Sequence, residues 1–292
     1  MTSEACASPA PWRLVMDPPA DGAFNMAADE LMLQIVGQRQ TTIVRFYRWC
    51  APTLSLGRSQ KIDEAADREF CRRHQIEIVR RPTGGQAVLH DREITYSFAS
   101  SDPGVLADPS PYGAYRRVSG AIARGIASMG IPVELAPRMR RSAARRADPC
   151  FLEAGMSEVL SNGRKLCGSA QRRFHDRFLQ HGSILVGFDP HLLAGCTRAD
   201  AAVLQAGVTS VGAELQPSPS TKIEEHLVDG IRSEFGIEFH PAPWTEAERA
   251  LIEAIADRKY RMDRWNVGAE EPEEVDSSAD ETELLGPREA LP

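Results

Sequence analysis

Apolar and polar residues alternate along the chain with two different periods. From Asp21 the apolar positions Phe24, Ala27, Ala28, Leu31 and Ile35 recur at helical spacing, and Asp21 can cap the first turn. Thr42 to Trp49 alternates with period two and is rich in β-formers. Thr53 to Leu56 forms a second short strand after Pro52. A helix is predicted over Asp63 to His74, then strands over Ile76 to Arg80 and Ile94 to Ala99. Tyr112 to Met129 is helical by spacing and ends at Gly130, followed by a short strand over Pro132 to Leu135. Met156 to Leu160 and Lys165 to Arg172 flank Ser161-Asn162-Gly163-Arg164, where Asn-Gly marks a hairpin. Phe178 to Val186 is a further strand, and helices over Ser220 to Phe235 and Glu246 to Tyr260 follow.

Strands in pairs, interrupted irregularly by helices, predict an α+β fold with a mixed, largely antiparallel sheet and packed helices. A doubly wound parallel sheet fits less well, because the Asn162-Gly163 hairpin breaks the alternation. No internal repeat is visible.

Three domains of behaviour are expected: a flexible arm over 1–11, a catalytic body over 12–266 and an acidic disordered tail over 267–292. The tail holds nine acids and one base, so the formal charge of -7 is a property of the tail. The body, with 33 bases against 32 acids, is near neutral and does not favour nucleic acid. An apolar content of 42% excludes disorder of the whole chain. No apolar run reaches the ~18 residues of a membrane span, and the start does not read as a secretory signal. A cytoplasmic protein without membrane partners is expected. Six cysteines lack any C-x-x-C or zinc-type spacing, so no metal site is expected and most should be reduced.

Three segments carry candidate chemistry. In Arg80-Arg81-Pro82-Thr83-Gly84-Gly85-Gln86-Ala87-Val88-Leu89-His90-Asp91, two cations end a strand and glycines let a ligand approach the backbone. Exposed N–H groups there suit a carboxylate, a phosphate or an oxyanion. An ordinary strand–turn–strand connection would read the same, and neither the P-loop nor the dinucleotide pattern is present. In Gly163 to Arg172, Lys165 within a strand beside small residues can enter a pocket and polarise a carbonyl, or simply face solvent. His181 in Leu179-Gln180-His181-Gly182-Ser183 can face the same pocket or be a satisfied core histidine. Ser169 lies in no nucleophile elbow. In Asp148-Pro149-Cys150-Phe151, the cysteine follows arginines 138, 140, 141, 145 and 146, a setting that raises the thiolate fraction. A buried structural cysteine is the plainer reading of Cys150 alone.

In order and spacing these segments resemble the lipoate–protein ligase/octanoyltransferase superfamily. Its motifs are matched by Arg80 to Asp91, Cys150-Phe151, Gly163-Arg164-Lys165 with Gly168-Ser169-Ala170-Gln171, and Leu179 to Leu185. Asn25-Met26-Ala27-x-Asp29, Lys259-Tyr260 and Trp265-Asn266 resemble its outer markers, so the resemblance spans about residues 12–266. It implies a catalytic domain of the kind shared with biotin protein ligases. Within the superfamily the chain is most similar to the cysteine-dependent, ligase-like octanoyl-[acyl-carrier-protein]:protein N-octanoyltransferases. Gln86 stands where many ligases have a third glycine and Thr83 where many have serine.

The resemblance implies that Cys150 is an acyl-thioester nucleophile and that Lys165 lowers its pKa and positions the carbonyl. Each pKa unit is worth about 1.4 kcal/mol. Motifs and resemblance together give Arg81, Thr83, Gly84, Gly85, Val88, His90, Gly168, Ser169, Ala170, His181 and Gly182 as the substrate-binding set. Val88, Leu89 and their neighbours are expected to line a tunnel for the acyl chain, at ~0.8 kcal/mol per buried CH₂. Backbone N–H groups near Gly84-Gly85 or Ser169-Ala170 would hold the oxyanion, each worth ~3 kcal/mol of barrier. Lys165, neutral at that moment, would take the proton of the attacking amine.

The expected reaction moves octanoyl from octanoyl-acyl carrier protein to a lysine of a lipoyl-domain protein, such as glycine cleavage H protein or a 2-oxoacid dehydrogenase E2 subunit. The Arg138–Arg146 stretch would steer the acidic carrier. No cofactor is expected, because a thioester is already activated and only 26 residues follow Asn266, too few for the cap domain of two-part ligases. The alternatives are an ATP-dependent lipoate–protein ligase, an amidotransferase acting between lipoyl-domain proteins, and a non-enzymatic acyl-carrier-binding module.

Overall fold

The computed structural model describes residues 12–107, 111–137, 158–215 and 222–272. Strand β1 (Trp12–Met16) leads into helix α1 (Gly22–Gln38), whose first turn is capped by the Asp21 carboxylate accepting from the Phe24 N–H at 2.7 Å. β2 (Thr42–Tyr47), β3 (Thr53–Leu56), α2 (Ile62–Ala65), α3 (Arg68–Arg73) and β4 (Glu77–Arg80) follow, then β5 (Val88–His90) and β6 (Glu93–Ser100). Next come α4 (Pro103–Leu106), α5 (Pro111–Ser128), β7 (Glu134–Leu135), β8 (Val159–Ser161), β9 (Arg164–Arg173) and β10 (Phe178–Leu185). The remainder is α6 (Pro190–Thr197), α7 (Ala201–Gly207), α8 (Val211–Glu214), α9 (Ile223–Phe235), β11 (Phe239–Pro241), α10 (Glu246–Ile255) and α11 (Asp263–Asn266).

Eight strands form one sheet in the order β11-β1-β2-β6-β10-β9-β8-β7, and β4-β3-β5 form a second. In the large sheet β1 runs parallel to both β11 and β2, while every pairing from β2 to β7 is antiparallel. The expected mixed, largely antiparallel α+β architecture is therefore what the chain adopts. Helices α5 and α9 cover one face, burying Phe46, Phe98, Phe178 and Ile184 against Val118, Ile122, Leu227 and Ile231. Helices α1 and α10 cover the other, where Met26, Leu31 and Ile252 pack with Ile43, Tyr47 and Leu179. A third cluster joins the small sheet to α3 and α6 through Leu54, Leu56, Cys71, Leu193 and Cys196.

Several local expectations are corrected. β2 is buried at all six positions rather than alternately exposed, because helices cover both faces of the sheet. The single helix expected over Asp63 to His74 is two, broken at Ala66-Asp67. There the Asp67 N–H bonds the Cys196 carbonyl at 2.6 Å and its side chain caps Phe70. The helix expected to Tyr260 passes into a π-helical turn at Ala256–Tyr260. Strands β1, β5 and β11 and helices α4, α6, α7, α8 and α11 were not anticipated, being short or set by tertiary pairing. The Asn162-Gly163 hairpin forms, with φ of 51° and 73° at its two corner residues.

Residues 267–272 continue from α11. Val267 donates its N–H to Asp263, and Glu271 pairs with Lys259 at 2.8 Å and with Arg58. Among the described residues no helix is long and apolar enough to cross a membrane.

Candidate active site

Strand register assembles the site. Arg45 on β2 faces Ser97 on β6, Ser97 faces His181 on β10, and His181 faces Ala170 on β9. The neighbouring row runs Tyr47, Thr95, Ser183, Gly168. Side chains two apart on a strand share a face, so two rows of polar groups cross four strands and end at small residues. Above the second half of these rows lies a cavity with an empty volume of about 370 Å³, counting its open mouth.

A buried carboxylate serves each row. Asp29, from α1, accepts from Arg45 Nη1 at 3.2 Å, Ser97 Oγ at 2.7 Å, Tyr47 OH at 3.3 Å and His181 Nδ1 at 2.8 Å. Burial pushes its pKa up, but the His181 bond and the Arg45 charge outweigh that and hold it below the ordinary carboxylate value. His181 is held below its ordinary value, chiefly by burial and despite Asp29, so it is neutral at pH 7. An ionised Asp29 only accepts, so Nδ1 carries the proton and Nε2 accepts from Thr83 Oγ1 at 2.6 Å.

The second carboxylate, Glu93, accepts from His90 Nδ1 at 2.8 Å, from Thr95 Oγ1 at 2.5 Å and from Ser183 Oγ. His90 Nε2 meets Ser55 Oγ at 2.6 Å, and Ser55 in turn accepts from Arg81 Nη1 at 2.8 Å. Burial raises the Glu93 pKa, but His90 and the hydroxyl donors outweigh that and leave it below the ordinary value. The His90 ring stacks on Trp49 with centroids 4.0 Å apart. Two parallel relays result: Thr83 to His181 to Asp29, and Arg81 to Ser55 to His90 to Glu93.

Both relays support the bend after β4. Arg81 Nη2 holds the Gly84 and Gln86 carbonyls at 3.0 and 2.9 Å, and the Thr83 carbonyl accepts from the Arg58 N–H at 2.8 Å. Gly85 has φ 94°, which glycine alone adopts without strain. Its carbonyl fills the place where a Cβ on Gly57 would stand, at 1.9 Å.

Of the residues singled out by sequence, Arg81, Val88 and His90 line the cavity from the β4–β5 side. Gly168, Ser169, Ala170, His181 and Gly182 line it from β9 and β10. Thr83, Gly84 and Gly85 form the adjacent bend, with the Gly85 Cβ position 3.8 Å from Ala170 Cβ. Leu89 is buried in the core beneath the small sheet, behind Val88. Lys165 lies just behind the wall: a Cβ on Gly168 would sit 2.8 Å from Lys165 Cε and 3.1 Å from Nζ. Its ammonium pairs with Glu158 at 2.7 Å, and both side chains are almost wholly buried. Cys150, Phe151 and the Arg138–Arg146 stretch lie outside the described residues.

Sequence reasoning gave Met26 and Asp29 only as markers of the resemblance and Ser183 only within a motif, and it missed Tyr47 and Thr95 on the wall and Glu93, Ser55 and Glu158 behind it. Asp29 did leave a signal, a carboxylate on the apolar side of α1 between Met26 and Met32-Leu33. Asn25 and Met26 explain the rest of that marker: Asn25 accepts from Arg45 Nη2 at 2.8 Å, and Met26 faces the cavity.

The cavity has an apolar side at Met26, Val88 and Ala170, a row of hydroxyls, and an ammonium behind one glycine. That set suits a short acyl chain with a carbonyl at one end. Cys167, with its Sγ 4.0 Å from Ser169 Oγ, is a buried thiol whose pKa is pushed up to about 12 by burial, so it makes a poor nucleophile. Among the described residues no group of three or more His, Cys, Asp or Glu could hold a metal ion.

A family model described as the lipoyl protein ligase A/B catalytic domain matches residues 21–232. Octanoyltransferase LipM of Geobacillus kaustophilus is 39% identical over 188 residues, covering 62% of this chain and 68% of its own. The LipM of Kyrpidia tusciae is 34% identical over 271 residues, covering 87% and 98%. Among solved structures, lipoate-protein ligase A bound with ATP superposes with a TM-score of 0.77 at 22% identity, over 89% of this chain and 100% of that one. A bipartite lipoate protein ligase from Thermoplasma acidophilum, solved as a lipoylation system with its E2 lipoyl domain, gives 0.76 at 22%, over 91% and 100%. The structural likenesses carry the fold, and the sequence identities carry the kinship.

Proposed function

The chain belongs to the lipoyl protein ligase A/B catalytic domain family as an octanoyltransferase of protein lipoylation, and on that premise we propose how it works: octanoyl passes from acyl carrier protein to Cys150, and from Cys150 to a lysine of a lipoyl domain. The observation that carries the reading is the cavity between the Thr83–Gly85 bend and β9–β10, with Lys165 behind Gly168.

In the first step the Cys150 thiolate adds to the thioester carbonyl and expels the carrier's thiolate, leaving an octanoyl-enzyme. The acyl chain lies along Met26, Val88 and Ala170, where each buried CH₂ contributes ~0.8 kcal/mol. Lys165, paired with the buried Glu158, stabilises the thiolate and the carbonyl oxygen through charge. The backbone N–H groups of the bend offer donors to the same oxyanion. In the second step the neutral ε-amine of the acceptor lysine attacks the thioester, the amide forms, and the Cys150 thiolate leaves and takes up the proton. The two histidines of the wall are engaged at both ring nitrogens, so they position groups rather than shuttle the proton. Glycine cleavage H protein and 2-oxoacid dehydrogenase E2 subunits are the acceptors of suitable chemistry.

Intact mass after incubation with octanoyl-acyl carrier protein, without ATP, tests the reading. Wild type gains one octanoyl group labile to hydroxylamine, and Cys150→Ala gains none. An unmodified wild type overturns the thioester route, and activity that requires ATP and free lipoate would assign the ligase reaction instead.

A further inference from the structure

Asp29 touches nothing in the cavity, yet it is fully buried and uses four acceptor positions, one of them on the Nδ1 proton of a wall histidine. We propose that Asp29 is a positioning residue for octanoyl transfer: by accepting the Nδ1 proton of His181 it fixes the tautomer whose Nε2 takes the Thr83 hydroxyl proton, and so pins the Thr83–Gly85 bend against the cavity. The proposal rests on the reading of the preceding subsection, and it names a residue two hydrogen bonds removed from that bend.

The connectivity is that of an Asp–His–hydroxyl triad, with 2.8 Å from Asp29 to Nδ1 and 2.6 Å from Nε2 to Thr83 Oγ1. Thr83 is not its nucleophile. The residue is fully buried and does not line the cavity, so no acyl carbonyl reaches its oxygen. What the relay governs is the place of the bend. Thr83 is held at its carbonyl by the Arg58 N–H and at its hydroxyl by His181. The next residues carry the left-handed Gly85, whose carbonyl packs on Gly57 and whose Cα faces Ala170.

A neutral imidazole has one donor and one acceptor nitrogen, and the partner of one decides the other. With Nδ1–H committed to a carboxylate, Nε2 must accept, and Thr83 has a proton to give. If Asp29 became an amide, its NH₂ could face Nδ1, the proton would move to Nε2, and the Thr83 hydroxyl would have to turn. Misplacement of a substrate-holding segment by ~1 Å can cost ~100-fold in rate. Arg45 would not be stranded by that change, since it also pairs with Asp17 at 2.6 Å and with Asn25 Oδ1 at 2.8 Å.

The test combines a spectroscopic and a kinetic readout on the full chain. In ¹⁵N-histidine-labelled wild type, the His181 signal should show the Nδ1–H tautomer, and Asp29→Asn should move it toward Nε2–H. Octanoyl transfer should fall roughly 10- to 100-fold in Asp29→Asn and in Thr83→Val. Thr83→Ser, which keeps the hydroxyl, should stay within about threefold of wild type. The Asp29→Asn/Thr83→Val double variant should be no slower than the slower single, because both remove one relay. An Nε2–H tautomer in wild type, an unmoved tautomer in Asp29→Asn, or additive losses in the double variant would each overturn the proposal. Should Asp29→Asn not fold, the wild-type tautomer and the Thr83→Val/Thr83→Ser pair decide it. A wild type with no octanoyl transfer sinks the functional reading, while the tautomer measurement still tests Asp29.

Discussion

Lys165 Nζ lies 2.7 Å from Glu158 Oε1, and each side chain is almost wholly removed from solvent. Each of these charges withdrawn from water is offset by the other, so removing one takes that attraction from its partner. Lys165→Met should therefore destabilise the protein by about 3–5 kcal/mol, whereas Lys165→Met/Glu158→Met should recover most of that loss. Urea unfolding of the two variants checks this. Equal destabilisation of both would show that the pair is not the source of the effect.

Gly168 and Gly182 predict opposite kinds of damage. A Cβ on Gly168 meets the flexible end of Lys165 at 2.8 Å, which can move aside. Gly168→Ala should leave stability within about 1 kcal/mol, since the Lys165 ammonium can keep Glu158, while cutting octanoyl transfer at least about tenfold, because a methyl then stands between the cavity and Lys165. A Cβ on Gly182 meets Tyr96 Cε1 and Ser169 Oγ at 2.5 Å and the Gly168 carbonyl at 2.9 Å, none of them free to yield. Gly182→Ala should lower stability by about 1–3 kcal/mol. Thermal unfolding and single-turnover transfer on both variants separate the two cases.

Arg80 is fully buried and is held by carbonyls: its guanidinium donates to the oxygens of Gly57, Arg58, Gln60, Trp265 and Asn266. It stitches the loop under the Thr83–Gly85 bend to the segment around α11. Lysine has neither the fork nor the number of donors. Arg80→Lys should cost about 2–4 kcal/mol, measured by chemical denaturation, because carbonyls are left without donors. A loss below about 1 kcal/mol would show that water replaces the guanidinium there.

Stability should fall as pH is lowered, in two stages. Burial, partly opposed by Asp29, holds folded His181 below its ordinary 6.5, so below that pH the unfolded chain takes the proton first and the folded state loses ground. The Asp29 and Glu93 pKa values are depressed below 3.8 and 4.5, so their contributions are present above those values and disappear as pH drops through the folded pKa values. Unfolding free energy should begin to decline as pH falls through about 6.5 and decline more steeply below about 4.5. His181→Gln should flatten the first stage only. Identical profiles for the variant and wild type above about pH 5 would remove His181 from the account.

Much of the fold was legible because its elements are local. The helix after Asp21, the Asn162-Gly163 hairpin and strands β9 and β10 follow from capping, turn chemistry and period-two spacing within a few residues. Strands β1 and β11 were missed for the opposite reason. The five residues of β1 are a strand because they pair with β2 some thirty positions on, and the three of β11, at the sheet edge, because Phe239 finds Trp12 across more than two hundred positions. The same holds for β5, which exists through its pairing with β3.

The site divides in the same way. The sequence by itself determined eight of the twelve residues that surround the cavity, since Arg81, Val88, His90, Gly168 to Ala170 and His181-Gly182 stand in short motifs and meet at one place. Through the family resemblance it also offered Cys150 and Lys165. Only the tertiary structure decided how those groups are charged and held. Register sets Arg45, Ser97, His181 and Ala170 in one row, and α1 lays Asp29 over it from 152 positions away. A pKa, a tautomer and a buried ion pair depend on distances of about 3 Å in a medium that excludes water. No spacing along the chain encodes such distances, because they arise only when the strands have found their partners.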